Sequence, residues 1–353
     1  MALEFRPDEL KALREARGET QPAFAAWLSR ELSRSYDRAR VNRWESGSEK
    51  IPQPVVVFLR THVAAQTPAP SPAPLLDARH TLGDAKVIAL VNQKGGVGKT
   101  MTAVNLSSAL SLRGFKVLLV DFDAQSNATL YLGVNPFELD KENRTVYHAL
   151  LKDVDIRTIY QTKSSAGTDL PCTLVPASPS LALADIELSY ETLGTLVLRE
   201  KLAAIKGDFD FILIDCPPNL GHLTTNALSA ADMLLIPTQT EVFSIFGISQ
   251  LLTVVNKIRG RANPTLKIFG ILPTMYTQSI REQRLSFESL KENFGDRFTI
   301  FRPIVRATSF AESAAAGVPA VIATPTARGV DAYHELADEL IKYVGQPEGR
   351  HEH

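Results

Sequence analysis

Gly95-Gly96-Val97-Gly98-Lys99-Thr100 brings glycines, a lysine and a hydroxyl into one short run, the groups that hold a polyphosphate. Glycines let backbone N–H groups turn inward, and a helix N-terminus adds its partial positive charge. Lys99 then reaches the outer phosphates, and the Thr100 hydroxyl binds Mg²⁺. We assign Gly95–Met101 to nucleotide contact, with ATP or GTP as the ligand. The elements that must position such a loop stand on either side of it. Val87, Ile88, Ala89, Leu90 and Val91 form an apolar run that stops at the glycines, and Ala103, Val104, Leu106, Ala109, Leu110 and Leu112 recur behind it at helical spacing. One detail departs from the usual pattern. Gln93 stands six residues before Lys99, where the motif has glycine, and a second lysine, Lys94, sits beside it.

Three further stretches deposit polar residues where apolar runs end. Asp121-Phe122-Asp123-Ala124-Gln125 follows the strand Lys116–Asp121. Asp215-Cys216-Pro217-Pro218 follows Phe209–Asp215 and has the form of a Walker B aspartate, which holds Mg²⁺ through water. Pro237-Thr238-Gln239-Thr240-Glu241 follows Asp232–Pro237, and here we assign Pro237 and Thr238 to nucleotide binding. A lone carboxylate after an apolar run also serves as a helix cap, but the stretches together, in this order, point to one sheet edge. With a further strand at Leu266–Leu272 and helices at Gln250–Arg259 and Ile280–Phe294, the alternation implies an α/β fold. It is a P-loop NTPase arrangement, a mostly parallel sheet flanked by helices, with right-handed crossovers and ligands at the carboxyl ends of the strands.

At 353 residues the chain has room for two domains. Composition is that of a soluble globular protein, 44% hydrophobic and 22% charged with a formal net charge of −1, so a nucleic-acid surface has to be a local patch. No apolar run approaches the roughly 18 residues of a membrane span, and the acidic start lacks a signal-peptide core. Cys172 and Cys216 alone give neither a disulfide framework nor a four-thiolate site. A cytoplasmic protein is expected.

Residues 1–63 read as a small all-α domain. Leu10, Leu13 and Ala16 form one helical face stopped by Gly18, Thr20 caps a second helix with Phe24, Ala25, Trp27 and Leu28, and a third runs from Tyr36 to Trp44. The pattern resembles the helix-turn-helix of the phage-repressor class. That resemblance implies that Gln21 opens the second helix against DNA backbone and that Arg38, Arg40, Asn42 and Arg43 lie on or beside a recognition helix, where Arg and Asn suit guanine and adenine edges. The segment Ser29–Ala39 is longer than such domains usually have, so either the turn is enlarged or the second helix is extended. A solvated basic face on a protein-docking module accounts for the same residues. Residues 64–84, rich in Ala and Pro, read as a semi-stiff linker with polyproline II character at Thr67–Pro74. The P-loop domain then spans 85–346, and 347–353 is a tail.

KGGVGKT, DFDAQSN, IDCPP, PTQTE and RPIVRATSFAESAAAGVPAVIATPTARGVDAYHELADEL together resemble the ParA/MinD family of deviant-Walker ATPases, in its ParA branch, over about residues 86–345. The resemblance implies that Lys94 reaches across a nucleotide-sandwiched homodimer to the partner's phosphates. It implies that Asp123 orients the attacking water, that Asp121 and Asp215 support the metal shell, and that Thr102 is a further candidate at the α-phosphate. It also implies ATP and Mg²⁺ as cofactors, non-specific DNA binding through Arg306 and, near it, Arg281 and Arg284, and a ParB-like centromere-binding partner. Solvated helix charges explain Arg281 and Arg284 equally well. The expected role is a nucleoid-associated DNA-partition ATPase that also represses its own operon. The alternatives are an ATP-responsive transcription regulator and a positioning ATPase for a protein cargo. A membrane-positioning role is set aside, because Gly345 and Pro347 stop the last helix and the tail carries no apolar residues to insert. Iron–sulfur relatives need cysteine ligands that Cys172 and Cys216 cannot supply.

Overall fold

In the computed structural model, which describes residues 6–32, 34–52, 54–56, 58–59, 83–241 and 244–346, helices precede the sheet domain, and residues 54–56 and 58–59 are helical as well as the three whose bounds follow. Those three are α1 (Pro7–Ala16), α2 (Gln21–Glu31) and α3 (Arg38–Glu45). Short polar side chains start the last two. Thr20 accepts the Ala23 N–H at 3.5 Å, and Asp37 accepts the Arg40 N–H at 2.8 Å, each satisfying an orphan donor of a first turn. Leu10, Phe24, Leu28, Val41, Trp44, Val55, Val56 and Leu59 bury together. The same core includes Val318 and Ala323 from the larger unit. Of the two arrangements open for Ser29–Ala39, α2 runs to Glu31 and a turn then folds back on it. The Ser29 hydroxyl accepts the Tyr36 N–H at 2.9 Å and donates to the Ala25 carbonyl at 2.7 Å. The linker, apart from Gly83 and Asp84, and the 347–353 tail lie outside the described residues.

The larger unit runs β1 (Lys86–Leu90), α4 (Lys99–Leu112), β2 (Val117–Asp121), α5 (Asn127–Tyr131), α6 (Pro136–Lys141), α7 (Val146–Leu151), β3 (Gln161–Lys163), β4 (Asp169–Val175), α8 (Ala184–Tyr190), α9 (Val197–Ala203), β5 (Phe211–Asp215), α10 (His222–Ala230), β6 (Met233–Gln239), α11 (Ser244–Arg261), β7 (Lys267–Thr274), α12 (Arg281–Phe294), α13 (Thr308–Ala315), α14 (Ala320–Ala323) and α15 (Val330–Val344). The sheet has seven strands in the order β3-β4-β2-β5-β1-β6-β7, parallel except for β3 against β4. Both faces are covered. One core packs α7 to α12 against the sheet, and the other packs α4, α14 and α15. This is why the central strands are continuous apolar runs rather than alternating ones.

The β3–β4 hairpin is absent from the sequence reading. Pro171 within β4 breaks the appearance of a strand, since proline cannot donate to a ladder and is usually found at edges. Helix α11 begins at Ser244, earlier than the Gln250 expected. What matters for function is register. Asp121 pairs with Asp215, and Leu90 pairs with Asp215, so β2, β5 and β1 all end level at one edge.

Candidate nucleotide site

The phosphate-type loop leaves β1 at that edge and is moored from below. Asn92 donates to the Pro237 carbonyl at 2.7 Å and accepts the Lys94 N–H at 2.9 Å. Thr274, at the end of β7, donates to the carbonyls of Val97 at 2.7 Å and Thr238 at 3.1 Å. Gly96 and Gly98 take left-handed φ values of 74° and 81°, which glycine adopts without steric cost, and Gly98 opens α4. Gln93 through Gly96 are exposed, whereas Val97 and Lys99 are buried. The first turn of α4 thus presents N–H groups that have no intrahelical acceptor toward an open rim. Pro237 and Thr238, assigned to the nucleotide from sequence, lie buried behind the loop as its footing. Thr102 is fully buried, with its hydroxyl 3.5 Å from the Tyr333 hydroxyl of α15, a contact that serves helix packing.

Lys99 Nζ donates to the Lys94 carbonyl at 3.2 Å. Burial pulls its pKa below the usual lysine range, against the opposing attraction of Asp215. Asp215 is wholly buried, and among the described residues neither carboxylate oxygen has a hydrogen-bond partner of ordinary geometry. Burial and the nearby Asp121 push its pKa well up, while the Thr100 hydroxyl favours the charged form. An orphaned buried carboxylate beside a threonine hydroxyl and a buried ammonium is the donor set a divalent cation and a phosphate would complete, so Thr100 and Asp215 fit Mg²⁺. No group of three or more His, Cys, Asp or Glu side chains among the described residues could hold a metal, so a cation here would draw its remaining ligands from phosphate and water.

Asp121, the third metal candidate, has its oxygens engaged. It accepts the Thr129 N–H at 2.8 Å, the Thr129 hydroxyl at 2.7 Å and the Asp123 N–H at 3.3 Å. Burial raises its pKa to about 6. Its geometry is that of a brace that ties β2 to α5 and shapes the turn carrying Asp123. Asp123 itself accepts the Gln125 N–H at 3.0 Å and stands at the same edge. Cys216 is buried at the strand end, its N–H 3.4 Å from the Leu90 carbonyl, and burial raises its thiol pKa far above normal.

Lys94 is half exposed. Its ammonium pairs with Glu241, with Gln239 Oε1 at 3.4 Å. Gln239 in turn donates to the Gly96 carbonyl at 3.1 Å. Neither Gln239 nor Glu241 was assigned a role from sequence, although both sit in the PTQTE run. The missing information is that β6 lies beside β1, a neighbourhood across 145 residues that no local pattern encodes.

Among the proposed DNA contacts, Gln21 donates to Glu45 at 2.8 Å and to Asn42 at 3.3 Å, so α2 and α3 meet at these residues. Arg40 and Arg43 both pair with Glu49, at 3.1 and 2.6 Å, while Arg38 is exposed at the start of α3. In the larger unit, Arg306 is exposed and its N–H meets the Tyr276 carbonyl at 3.0 Å. That pairing sets it near an open cleft of about 970 Å³ whose walls include Tyr276, Val305, Arg281, Arg284 and Arg328.

Residues 85–268 match a family model described as an AAA domain. The chain is 38% identical to the sporulation initiation inhibitor protein Soj of Bacillus subtilis over 256 residues, 72% of this chain and 98% of Soj. It is 35% identical to the chromosome partitioning protein ParA of Caulobacter vibrioides over 260 residues, 72% of this chain and 94% of that one. Among solved structures, a Mycobacterium smegmatis chain described as cobyrinic acid a,c-diamide synthase, with bound ADP and magnesium, aligns with a TM-score of 0.62 at 33% identity. It covers 73% of this chain and 95% of its own.

Proposed function

This chain belongs to the ParA/MinD family of P-loop ATPases, and on that premise we propose that it is a DNA-partition ATPase that dimerises on ATP, holds DNA without sequence preference, and is released when a ParB-like partner stimulates hydrolysis. The N–H groups of Gly95–Thr100 and the Lys99 ammonium bind the ATP phosphates. Thr100 and Asp215 hold Mg²⁺, which when bound neutralises phosphate charge. Asp123 accepts a hydrogen bond from the attacking water and aims it, so the reaction needs positioning and electrostatics rather than a covalent nucleophile. Lys94 supplies charge to the phosphates of the partner subunit.

The observation that carries this reading is the division of labour between two lysines. Lys99 is buried in its own loop, while Lys94 stands half exposed on the rim, where among the described residues its ammonium meets the side chains of Glu241 and Gln239. A surface pair of this kind contributes about 0–1 kcal/mol, so it is easily exchanged for a phosphate.

The basic surface around Arg306 is the proposed DNA face, with Arg281 and Arg284 across the neighbouring cleft. Arg306→Glu should weaken binding of the Mg-ATP-loaded chain to all DNA sequences alike and lower the slope of log K against log salt by roughly 0.9 or more. Fluorescence anisotropy over a salt series measures this, and an unchanged slope removes Arg306 from the interface.

We also assign residues 1–63 to operator recognition through α3, with Arg38, Arg40, Asn42 and Arg43 as candidate readers and Gln21 at the DNA backbone. Glu49 must then release Arg40 and Arg43 to bases or phosphates. A footprint of the full chain on its own upstream DNA at moderate salt is the expected result, and its absence leaves the three helices as a protein-docking module. A dedicated ATP-responsive regulator is the second reading, favoured by the Val318 and Ala323 contact that joins the helical domain to the ATPase unit. Partner-stimulated turnover separates the two.

A further inference from the structure

Asn92 stands where β1 gives way to the phosphate-type loop, and it is only 4% exposed. Val87, Ile88, Ala89, Leu90 and Val91 before it are buried and apolar. A primary amide taken out of water is costly unless its donor and acceptor sides are both satisfied. Here both are. The Nδ2 group donates to the Pro237 carbonyl of β6 at 2.7 Å, and Oδ1 accepts the Lys94 N–H at 2.9 Å.

The first of these bonds extends the sheet. β1 and β6 run parallel with Leu90 opposite Leu235, and the Val91 N–H donates to the Leu235 carbonyl at 3.2 Å. Ladder bonds between parallel strands recur at every second residue, so the next acceptor along β6 is Pro237. The chain after β1 has begun to turn at that point, and the Asn92 side chain meets the carbonyl in place of a backbone N–H. The second bond shapes the turn. A side-chain oxygen that holds the N–H two residues on makes an Asx turn, which fixes the path of the chain through Gln93 and Lys94.

The consequence falls on the lysines. While Asn92 holds the Lys94 N–H, the Lys94 carbonyl accepts from Lys99 Nζ at 3.2 Å, and the Lys94 side chain runs out to Glu241 and Gln239. One peptide orientation thus settles where both ammonium groups lie. Gln93 through Gly96 are exposed, so burial contributes little to holding this turn. Asparagine suits the place because it carries donor and acceptor on one short planar group. Aspartate lacks the donor, and alanine lacks both.

We propose that Asn92 is a positioning residue for phosphoryl transfer, which fixes the Lys94 peptide and so aims the Lys94 ammonium outward from the loop. This rests on the ATPase reading given above. Single-turnover hydrolysis of Mg-ATP by the full chain tests it, with affinity read by isothermal titration and folding by thermal melts. Asn92→Ala should hydrolyse bound ATP about thirtyfold to a hundredfold more slowly than the parent, the loss that a misplaced group produces. Its Kd for Mg-ATP should stay within about fivefold, because the N–H groups of Gly96–Thr100 and the Lys99 ammonium remain. Asn92→Ser keeps an acceptor for the N–H two residues on and should return the rate to within about fivefold of the parent's. Asn92→Val, which also lacks the acceptor and suits a strand end, replaces the alanine variant if that one does not fold.

An Asn92→Ala rate within about threefold of the parent's overturns the proposal, and so does a loss of affinity as large as the loss of rate, the mark of a merely structural role. A serine variant as slow as the alanine variant also overturns it, by giving the effect to the bond with Pro237. Lys94→Ala keeps the readings apart. If that variant is slow while Asn92→Ala is not, this proposal alone fails. If it hydrolyses ATP at the parental rate, the role given to Lys94 fails and this proposal with it. A parent that binds Mg-ATP without hydrolysing it ends the ATPase reading and this one together.

Discussion

Lys99→Ala is expected to abolish ATP binding and with it every nucleotide-dependent property of the chain. The ammonium is buried at the start of α4, inside the glycine loop and near Asp215. Hydrogen bonds to charged groups contribute about 1.5–3 kcal/mol each, and a lysine reaching two phosphates makes at least two. The loss is therefore about 3–6 kcal/mol, roughly a hundredfold to ten-thousandfold in Kd. The fold should survive, since Nζ donates to a backbone carbonyl on an exposed loop residue and burial already disfavours its charge. Isothermal titration with Mg-ATP reads the affinity and a thermal melt reads the fold. A folded variant that binds ATP within about threefold of the parent would sink the assignment of this loop.

Asp123→Ala separates binding from chemistry. Asp123 lies off the phosphate-type loop, on the turn that Asp121 braces, so ATP affinity and ATP-dependent dimerisation should persist. Turnover should fall by about a hundredfold to ten-thousandfold, the usual contribution of a positioned acid–base group. Asp123→Asn keeps an acceptor for the Gln125 N–H at the same place while removing the carboxylate. It should stall as fully as the alanine variant if the carboxylate acts on water, and it should turn over normally if Asp123 only shapes the turn. Single-turnover hydrolysis by both variants decides the point, and parental rates in Asp123→Ala would remove the residue from the mechanism.

Much of the candidate nucleotide site was legible because its parts are local. A strand, a glycine turn, Lys99, Thr100 and a helix lie in one continuous stretch, and short-range sterics and hydrogen bonding determine their geometry. Asp121, Asp123 and Asp215 were legible as strand-end carboxylates, since parallel strands flanked by helices end at one edge. Their division of labour was not. The Thr129 contacts that occupy Asp121, and their absence at Asp215, come from how α5 folds back on β2.

The surroundings of Thr102 were hidden for a related reason. Helical spacing places it one turn along α4, but only the packing of α15 decides that its hydroxyl meets Tyr333. The β3–β4 hairpin was hidden by Pro171, whose propensity argues against a strand that tertiary pairing nevertheless imposes.

The sequence by itself determined the class of ligand, the order of the site residues and the presence of a second lysine, because each is written in contiguous residues. Only the tertiary structure decided what Lys94 rests on, where the helical domain meets Val318 and Ala323, and that the Asn92 amide meets the Pro237 carbonyl. Those outcomes depend on which strands and helices become neighbours. Neighbourhood is set by burying apolar area over the whole chain, a sum that no single stretch contains.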